Sequence, residues 1–365
     1  MVNEGAVSAA VASVIDPELG RSLGELGMVR DVRIGDGGNV GITVALTVPG
    51  CPYQDELEAD VVAAAGSAAE VGAVSVTFTV MSDEERARVV HHVRGERDGG
   101  VMVGGPGSRT RIVAVSSGKG GVGKSSVTTN LGVTLAAAGH RVGIIDADVW
   151  GFSIPKMLGI ERGPTVVDRL LLPPAAHGVR VMSMDYFVGA DQAIIWRGPM
   201  LHKALEQFLS DVHWDEPDFL LIDMPPGTGD VAISISQFLP RAQALIVTTP
   251  QTTAQRVAKR AALMARKVDQ EVLGVVENMS WFIGDDGVRY AVFGEGGGAA
   301  LAAELDVPLL AQIPLVSEVG RGADAGVPAV DVAADSEVVV AFEKLATEIV
   351  ARKPRVRSHP ELTVQ

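Results

Sequence analysis

The sequence predicts an α/β protein with a mostly parallel sheet covered by helices on both faces, preceded by a small α+β domain. Three observations lead to this prediction. After residue 110, continuous apolar strand-like runs alternate with amphipathic helical segments, which is typical of a parallel sheet buried on both faces. Before residue 95, two helical segments and three strand-like runs are mixed. The segment GERDGGVMVGGPGSRT between them is rich in glycine and charge, as expected for a linker.

These patterns divide the 365 residues into a small α+β domain (1–94), a linker (95–110), a larger α/β domain (111–352) and a loose C-terminal tail (353–365). The predicted elements of the small domain are helices at Ala6–Ile15 and Tyr53–Ala65 and strands at Val29–Ile34, Val40–Leu46 and Ala73–Val80. The predicted strands of the larger domain are Arg111–Val115, Val142–Ile145, Val179–Met184, Phe219–Ile222, Ala244–Thr248 and Val272–Val276. Its main predicted helices are Lys124–Ala138, Pro199–Val212, Thr252–Val268 and Glu337–Arg352.

Composition and charge exclude several classes of protein. Hydrophobic residues make up 47% and charged residues 21%, which argues against wholesale disorder. A net charge of −14 argues against general binding to nucleic acid or to an anionic membrane. The chain has no long apolar run and no basic-then-apolar N-terminal segment, so we expect a cytoplasmic protein without a membrane span. A single cysteine, Cys51, rules out an intramolecular disulfide and a four-cysteine metal site within one chain.

The strongest motif is SGKGGVGKS at 117–125, which fits the pattern G-x-x-x-x-G-K-[ST] between a strand and a helix. Glycines allow backbone N–H groups to surround phosphate oxygens, and the following helix directs its positive end at them. Lys124 is predicted to reach the β and γ phosphates, and the Ser125 hydroxyl to hold Mg²⁺. The predicted nucleotide-binding residues of this loop are Gly118, Lys119, Gly120, Gly121, Val122, Gly123, Lys124, Ser125 and Ser126.

A second lysine, Lys119, follows the first glycine of this loop. Its side chain is either a solvated surface group or a cation that reaches a nucleotide held by a second subunit. Three aspartates stand at predicted strand ends: Asp146 and Asp148 after one strand, and Asp223 after another. Each aspartate alone could cap a turn. Together, behind a phosphate loop, they favour magnesium binding by Ser125, Asp146 and Asp223, because ligands of open α/β sheets bind at the carboxyl ends of strands.

The segments KGGVGKS, IDAD, LLIDMPPGTGD and VENMSWF…FGEGGG resemble the deviant Walker A ATPases, and among them the Mrp or ApbC-type family of iron–sulfur cluster carriers. The small domain, with DPELG at 16–20 and the turn around Cys51, is similar to an iron–sulfur assembly domain. The resemblance implies a homodimer that binds ATP and Mg²⁺, with Lys119 acting on the partner's nucleotide. It implies that Asp148 orients the attacking water and that Asn278 contacts the adenine base; alternatively, Asn278 only caps its strand.

The sequence departs from the family pattern at one point. Carriers of this family usually have a Cys-x-x-Cys pair shortly after the ENMS block, whereas this chain reads WFIGDDGVRY, which predicts a plain hairpin turn. The dimer-bridging cluster implied by the resemblance therefore lacks its ligands here. Cys51 is the one remaining candidate ligand. It is either a small buried hydrophobe or a thiolate stabilised at the start of a helix.

The leading interpretation is a slow, dimeric ATPase that forms ADP and phosphate and takes part in delivering iron–sulfur clusters. Its expected partners are a second copy of itself, apoprotein clients and other assembly proteins, without nucleic acid or membrane. One alternative is an ATP-gated interaction module that has lost cluster binding. A positioning ATPase of the MinD or ParA kind is disfavoured, because the tail lacks a basic amphipathic helix and the net charge opposes DNA binding.

Overall fold

The computed structural model describes residues 2–94, 103–105, 107–187, 198–227, 229–284, 286–332 and 336–353. Its strands are β1 (Val29–Ile34), β2 (Val40–Leu46), β3 (Val74–Val80), β4 (Arg111–Ser117), β5 (Val142–Asp146), β6 (Thr165–Val167), β7 (Leu170–Leu172), β8 (Ala175–Ala176), β9 (Val179–Ser183), β10 (Phe219–Asp223), β11 (Gln243–Thr248), β12 (Glu271–Ile283), β13 (Arg289–Tyr290) and β14 (Leu309–Leu315). Its helices are α1 (Glu4–Ala12), α2 (Gln54–Gly66), α3 (Asp83–Arg94), α4 (Lys124–Ala137), α5 (Ile154–Met157), α6 (Gly198–Ser210), α7 (Asp230–Phe238), α8 (Thr252–Lys267), α9 (Gly297–Glu304), α10 (Ser317–Ala325), α11 (Ala329–Val332) and α12 (Glu337–Ala351).

The chain forms two compact units whose boundaries interrupt the sequence. The first comprises residues 1–101 together with Pro164–Pro173 and Asp211–Asp215. The second comprises residues 102–163, 174–210 and 216–365. Two short pieces from within the predicted larger domain therefore belong to the first unit.

The first unit is built on the three-stranded sheet β1-β2-β3. β1 and β2 are antiparallel, whereas β2 and β3 are parallel. Helices α1 and α2 bury apolar side chains against this sheet, among them Val7, Val11, Leu57 and Val61. Burial of such aliphatic side chains supplies the main stabilising free energy of a small domain.

The hairpin β6–β7 contributes to this same core, because Val167, Leu170 and Leu172 are buried within it. Leu171 pairs with the 211–215 segment on both sides. Its N–H donates to the Asp211 carbonyl at 2.9 Å, and its carbonyl accepts from the His213 N–H at 2.8 Å. No local pattern in residues 164–173 or 211–215 indicates that they complete the core of the first unit.

The second unit is built on a sheet whose described strands run in the order β13-β12-β11-β4-β10-β5-β9-β8, with β14 also paired to β12. The central pairs are parallel, and among the described strands of this sheet antiparallel pairs occur only where β8 meets β9 and β13 meets β12. Every residue of β5 and β10 is buried, as expected for strands covered on both faces. The predicted fold class is therefore confirmed.

Several predicted elements differ in their ends. The first helix was expected at Ala6–Ile15 but is α1, which ends at Ala12 because the Val14 carbonyl accepts from Leu23 as the chain turns back. The helix expected at Pro199–Val212 ends at Ser210, because the next residues pair with β7. The predicted hairpin after the ENMS block is present, with Phe282 opposite Tyr290 and Ile283 opposite Arg289.

The predicted linker and the predicted C-terminal tail fall largely outside the described residues. Residues 95–102 and 106 of the predicted linker, and all but Lys353 of the predicted tail, lie outside the described residues. Within the described ranges, no helix combines the length and apolarity needed to cross a membrane.

Candidate functional site

The glycine-rich loop connects the end of β4 to the start of α4, and two of its glycines meet requirements that alanine cannot. Gly123 has a φ of +75°, and a Cβ there would lie 2.2 Å from Asn278 Nδ2. A Cβ on Gly118 would lie 2.1 Å from the backbone carbon of Val257 on α8. At these two positions the loop therefore lies too close to Asn278 and to the α8 backbone for any residue with a Cβ atom.

Lys124, the first residue of α4, lies between two buried carboxylates. Its Nζ is 2.7 Å from Asp223 Oδ2 and 3.5 Å from Asp148 Oδ2, and the lysine side chain is only 6% exposed. Both contacts are close ion pairs, but neither has the geometry of a hydrogen bond. Lys124 Nζ therefore makes no hydrogen bond within the described residues. This ammonium offsets one of the two negative charges, and its N–H donors remain available for the oxygens of an incoming phosphate group.

Asp223, at the end of β10, is held by two hydroxyl groups on the first turns of α4. The Ser125 hydroxyl donates to Oδ2 at 2.6 Å, and the Thr128 hydroxyl donates to Oδ1 at 2.8 Å. Ser125 and Asp223 thus meet, as predicted for a magnesium-binding pair. Thr128 was missed by the sequence analysis, although its position four residues after Lys124 places it one turn further on the same face of α4.

Asp146, at the end of β5, organises the loop that follows it. Its Oδ2 accepts from the backbone N–H of Ser153 at 3.0 Å and of Ile154 at 3.2 Å, and from the Ser183 hydroxyl at 3.3 Å. Burial, and then the charge of Asp223, raise the pKa of Asp146 to about 7 against the lowering effect of these amides. Direct magnesium binding by Asp146 stays a prediction. Both of its oxygens already accept hydrogen bonds from the chain, so a metal ion would compete with these donors.

Asp148 has the opposite character. One of its oxygens, Oδ1, is buried and makes no hydrogen bond within the described part of the chain. A buried carboxylate oxygen without a donor is costly unless a ligand or water supplies one. Together with the unbonded Lys124 Nζ and the glycine loop, it fits a bound nucleotide and Mg²⁺, which offer oxygen ligands, water and positive charge at this place.

Two predicted residues, one in the loop and one beside it, make hydrogen bonds that the sequence did not indicate. The Lys119 ammonium donates to Gln251 Oε1 at 3.1 Å, on the segment that leads into α8. The Asn278 amide donates from Nδ2 to the Val122 carbonyl at 2.9 Å. Asn278 therefore holds the phosphate loop itself, and its contact with adenine stays a prediction.

Cys51 belongs to the first unit and is buried, with 8% of its surface exposed. Burial is the main cause that raises the pKa of its thiol to about 11, and the Glu18 and Asp16 carboxylates raise it further. The thiol donates to Glu18 Oε2 at 3.6 Å, and Thr165 donates to the other oxygen of Glu18 at 2.6 Å. Of the two interpretations of Cys51, the buried neutral thiol agrees with this geometry and the stabilised thiolate does not.

No group of three or more histidine, cysteine, aspartate or glutamate side chains suited to hold a metal ion occurs among the residues that the structure describes. His91 and His92 are exposed on α3. The site that the structure does assemble is the one at the carboxyl ends of β4, β5 and β10.

Comparison with protein families gives two matches that agree with the two-part sequence. Residues 108–350 match the family described as NUBPL iron-transfer P-loop NTPase, and residues 4–76 match the family described as iron-sulfur cluster assembly protein. The chain is 46% identical to the iron-sulfur cluster carrier protein of Mycobacterium leprae (strain TN), with 97% of this chain and 94% of that protein covered. It is 42% identical to the protein of the same name from Bacillus subtilis (strain 168), covering 86% and 89% of the two chains.

Two solved structures of nucleotide complexes resemble part of the chain. A nucleotide-binding protein from Archaeoglobus fulgidus in complex with ADP is 38% identical with a TM-score of 0.53, covering 60% of this chain and 87% of that one. The septum site-determining protein MinD of Pyrococcus horikoshii, complexed with Mg-ADP, is 25% identical with a TM-score of 0.50, covering 66% and 96%.

Proposed function

Because the chain belongs to the family of NUBPL iron-transfer P-loop NTPases, we propose that it binds and hydrolyses ATP and carries iron–sulfur clusters to apoproteins. The observation that carries the nucleotide part is the buried Lys124, which lies within 4 Å of Asp223 and Asp148 at the end of a glycine loop. The full-length likeness to proteins named iron-sulfur cluster carriers supports the cargo.

The proposed reaction transfers the terminal phosphoryl group of ATP to water, so that the bond between the γ phosphorus and its bridging oxygen breaks and ADP and phosphate form. Loop N–H groups at 118–123 bind the phosphate oxygens, and Lys124 offsets their negative charge. Asp148 Oδ1, which has no hydrogen bond within the described part of the chain, accepts one from the attacking water and orients it. Mg²⁺, when bound, would be held by Ser125 and Asp223 and would neutralise charge on the phosphates.

The roles of the neighbouring side chains follow from the contacts they make. Thr128 fixes Asp223 from the side opposite to Ser125, so the carboxylate keeps one orientation. Asp146 anchors the turn before α5 and thereby the backbone that carries Asp148, whose N–H donates to Asp146 Oδ1 at 3.3 Å. Asn278 fixes the loop from the other end through the Val122 carbonyl.

We further propose that the active form is a homodimer in which Lys119 reaches the partner's nucleotide. Among the residues that the structure describes, the Lys119 ammonium is held by an uncharged amide oxygen of Gln251, a contact that is readily exchanged for a phosphate.

Mixing Lys119→Ala subunits with Asp148→Ala subunits tests the dimer by phosphate release. Each homodimer lacks one group at both sites, whereas a heterodimer has one site with both groups, so the mixture is expected to recover activity. A mixture of Lys119→Ala with Lys119→Ala,Asp148→Ala subunits is the control and stays inactive, because no site contains both groups. Equal activity of the two mixtures would contradict the trans role.

The cargo is proposed to bind weakly. Cys51 is the only cysteine, so a homodimer supplies two thiolates and a cluster needs further ligands from small thiols or client proteins. The raised pKa of Cys51 means that a cluster must also overcome the burial of this thiol. Such binding suits transient carriage rather than storage.

A further inference from the structure

The second unit contains a cavity at the end of the sheet opposite to the phosphate loop. Its volume is about 960 Å³, and it opens where β4, β11 and β12 begin. β4 runs for seven residues from Arg111 at this cavity to Ser117 at the loop, which corresponds to about 20 Å. A molecule in the cavity is therefore separate from a nucleotide at the loop.

The cavity wall is basic although the chain is acidic. Five lining side chains are cationic and three are acidic, within a protein of net charge −14. Among the cations, Arg109, Arg241 and Lys353 are exposed and have no ion pair or hydrogen bond within the described residues. One of the acids, Glu271, is already used by the Gln243 amide, which donates to it at 2.9 Å. The wall therefore offers more positive charge than its own carboxylates neutralise.

Buried polar atoms without hydrogen bonds point to the same place. In the described residues such atoms lie on seven side chains, all in the second unit. Four come after the carboxyl ends of strands, at the end of the sheet that carries the nucleotide site: Lys124, Asp148, Tyr186 and Thr249. The other three are at the opposite end, and all three are donors: Arg111 Nε, Gln270 Nε2 and Arg352 Nε.

The second group belongs to the cavity. Arg111 and Gln270 line it, and Arg352 directly precedes the lining residue Lys353. Gln270 is only 8% exposed, and its amide Nε2 has no acceptor within the described residues, so burying this donor costs free energy. Arg111 is held in place by the Ile349 carbonyl at 2.6 Å and Gln243 Oε1 at 2.9 Å, which leaves Nε unused. Donors that lack acceptors, beside unpaired cations, are what a ligand rich in negatively charged oxygens requires.

We propose that this cavity binds a small molecule bearing two or more anionic groups, carboxylate or phosphate, independently of the nucleotide. Arg109 and Arg241 form the exposed, charge-neutralising side of the site. Gln270 and Arg111 form its buried, hydrogen-bonding side. The volume lies within the range of small-molecule sites and exceeds the need of a single inorganic anion.

The test measures binding of pyrophosphate and of citrate to the full chain by calorimetry and thermal shift, with the nucleotide site saturated by ADP and no divalent cation added. The wild type is expected to bind at least one probe at millimolar concentrations, and the preferred probe identifies phosphate or carboxylate as the natural group. The double variant Arg109→Gln,Arg241→Gln is expected to weaken binding by about tenfold or more, because each charge-assisted hydrogen bond is strong. Arg260→Gln, an exposed arginine of α8 outside the cavity, is the matched control and binds as the wild type does.

Gln270→Met separates a binding role from a structural one. Replacing an unsatisfied buried donor by an apolar side chain of similar shape is expected to leave the melting temperature unchanged or to raise it, and to weaken binding of the probe. Failure of both probes to bind, equal binding by the double arginine variant and the control, or a lowered melting temperature with unchanged binding in Gln270→Met would each overturn the proposal.

Discussion

The nucleotide site and the surroundings of Cys51 bury charged groups in opposite ways. At the phosphate loop, one buried ammonium lies against two carboxylates, so one of the two negative charges is offset, and Lys124 Nζ and Asp148 Oδ1 have no hydrogen bond within the described residues. Around Cys51, the thiol is buried beside Glu18 and Asp16, whose negative charges oppose formation of a thiolate. The first arrangement is suited to phosphate groups that arrive with Mg²⁺, whereas the second suppresses the charged state that metal binding needs.

This difference separates the two halves of the proposed function. Nucleotide chemistry is supported by groups already in position, so it depends on small adjustments. Cluster carriage through Cys51 requires the thiol to lose both its proton and its burial, so it depends on a change in the first unit or on ligands supplied from outside. The protein is thus expected to be a competent nucleotide binder and a weak cluster binder.

The largest effect is expected at the nucleotide site. Lys124→Ala should reduce ATP hydrolysis by at least about a thousandfold, because the terminal phosphate loses its principal cation. It should also lower the free energy of unfolding by about 3–5 kcal/mol, since two buried carboxylates are left facing each other. Phosphate release and urea unfolding measure the two effects.

Lys156→Ala is the matched control for that variant, because Lys156 is an exposed lysine of α5 in the same unit. It should leave both quantities near the wild-type values. If Lys124→Ala hydrolysed ATP at the rate of this control, the glycine-rich loop with Lys124 would not be the phosphate-binding site.

The Cys51 side of the comparison predicts a slow thiol. With a pKa of about 11 instead of the ordinary 9.0, the thiolate fraction at pH 8 falls by about a hundredfold, and alkylation by iodoacetamide should slow by at least that factor relative to the urea-unfolded chain. The folded protein keeps its proton between about pH 9 and 11 while the unfolded chain loses it, so stability should decline across that window.

Glu18→Gln sharpens this prediction. It removes one of the charges that raise the pKa, so alkylation should accelerate, yet the rate should stay below that of the unfolded chain because burial is the larger cause. Native alkylation as fast as in urea would show that Cys51 is not the buried neutral thiol described above.

The smallest effect is expected for Thr128→Val, which removes one hydroxyl from Asp223. Leaving a buried carboxylate oxygen without its donor costs about 1–3 kcal/mol, so kcat/KM for ATP should fall by about tenfold. Thr129→Val is the control, because within the described residues the hydroxyl of this equally buried neighbour donates to the Met157 sulfur at 3.7 Å and to no carboxylate. Equal losses in the two variants would mean that Thr128 acts through packing alone.

Local sequence signals were sufficient wherever the structure depends on them. β1 and β2 begin and end at the predicted residues, because alternating patterns flanked by turn residues define short strands well. The phosphate loop was predicted with its flanking strand and helix because its spacing is specific. Helix α3 was not predicted, although the sequence contains a capping box at its start. In the structure Glu85 accepts from the Ser82 N–H, and Ser82 Oγ accepts from the Glu85 N–H.

Features that depend on distant residues could not be predicted. The β6–β7 hairpin packs in the first core, and nothing local in residues 165–172 distinguishes that position from a place in the second unit. The contact of Asn278 with Val122 joins residues 156 positions apart. The Lys119–Gln251 and Thr128–Asp223 hydrogen bonds likewise follow from the sheet order, which brings β4, β10 and β11 together.

The most direct test of the account is anaerobic reconstitution of the full-length wild type and Cys51→Ala with iron and sulfide, followed by visible absorption and metal counting. We expect a labile, substoichiometric cluster in the wild type that small thiols alter and that Cys51→Ala lacks, while both proteins bind ATP equally. A stable, stoichiometric cluster in Cys51→Ala would contradict it. So would a wild type that binds no iron, which would indicate an ATP-gated interaction module instead.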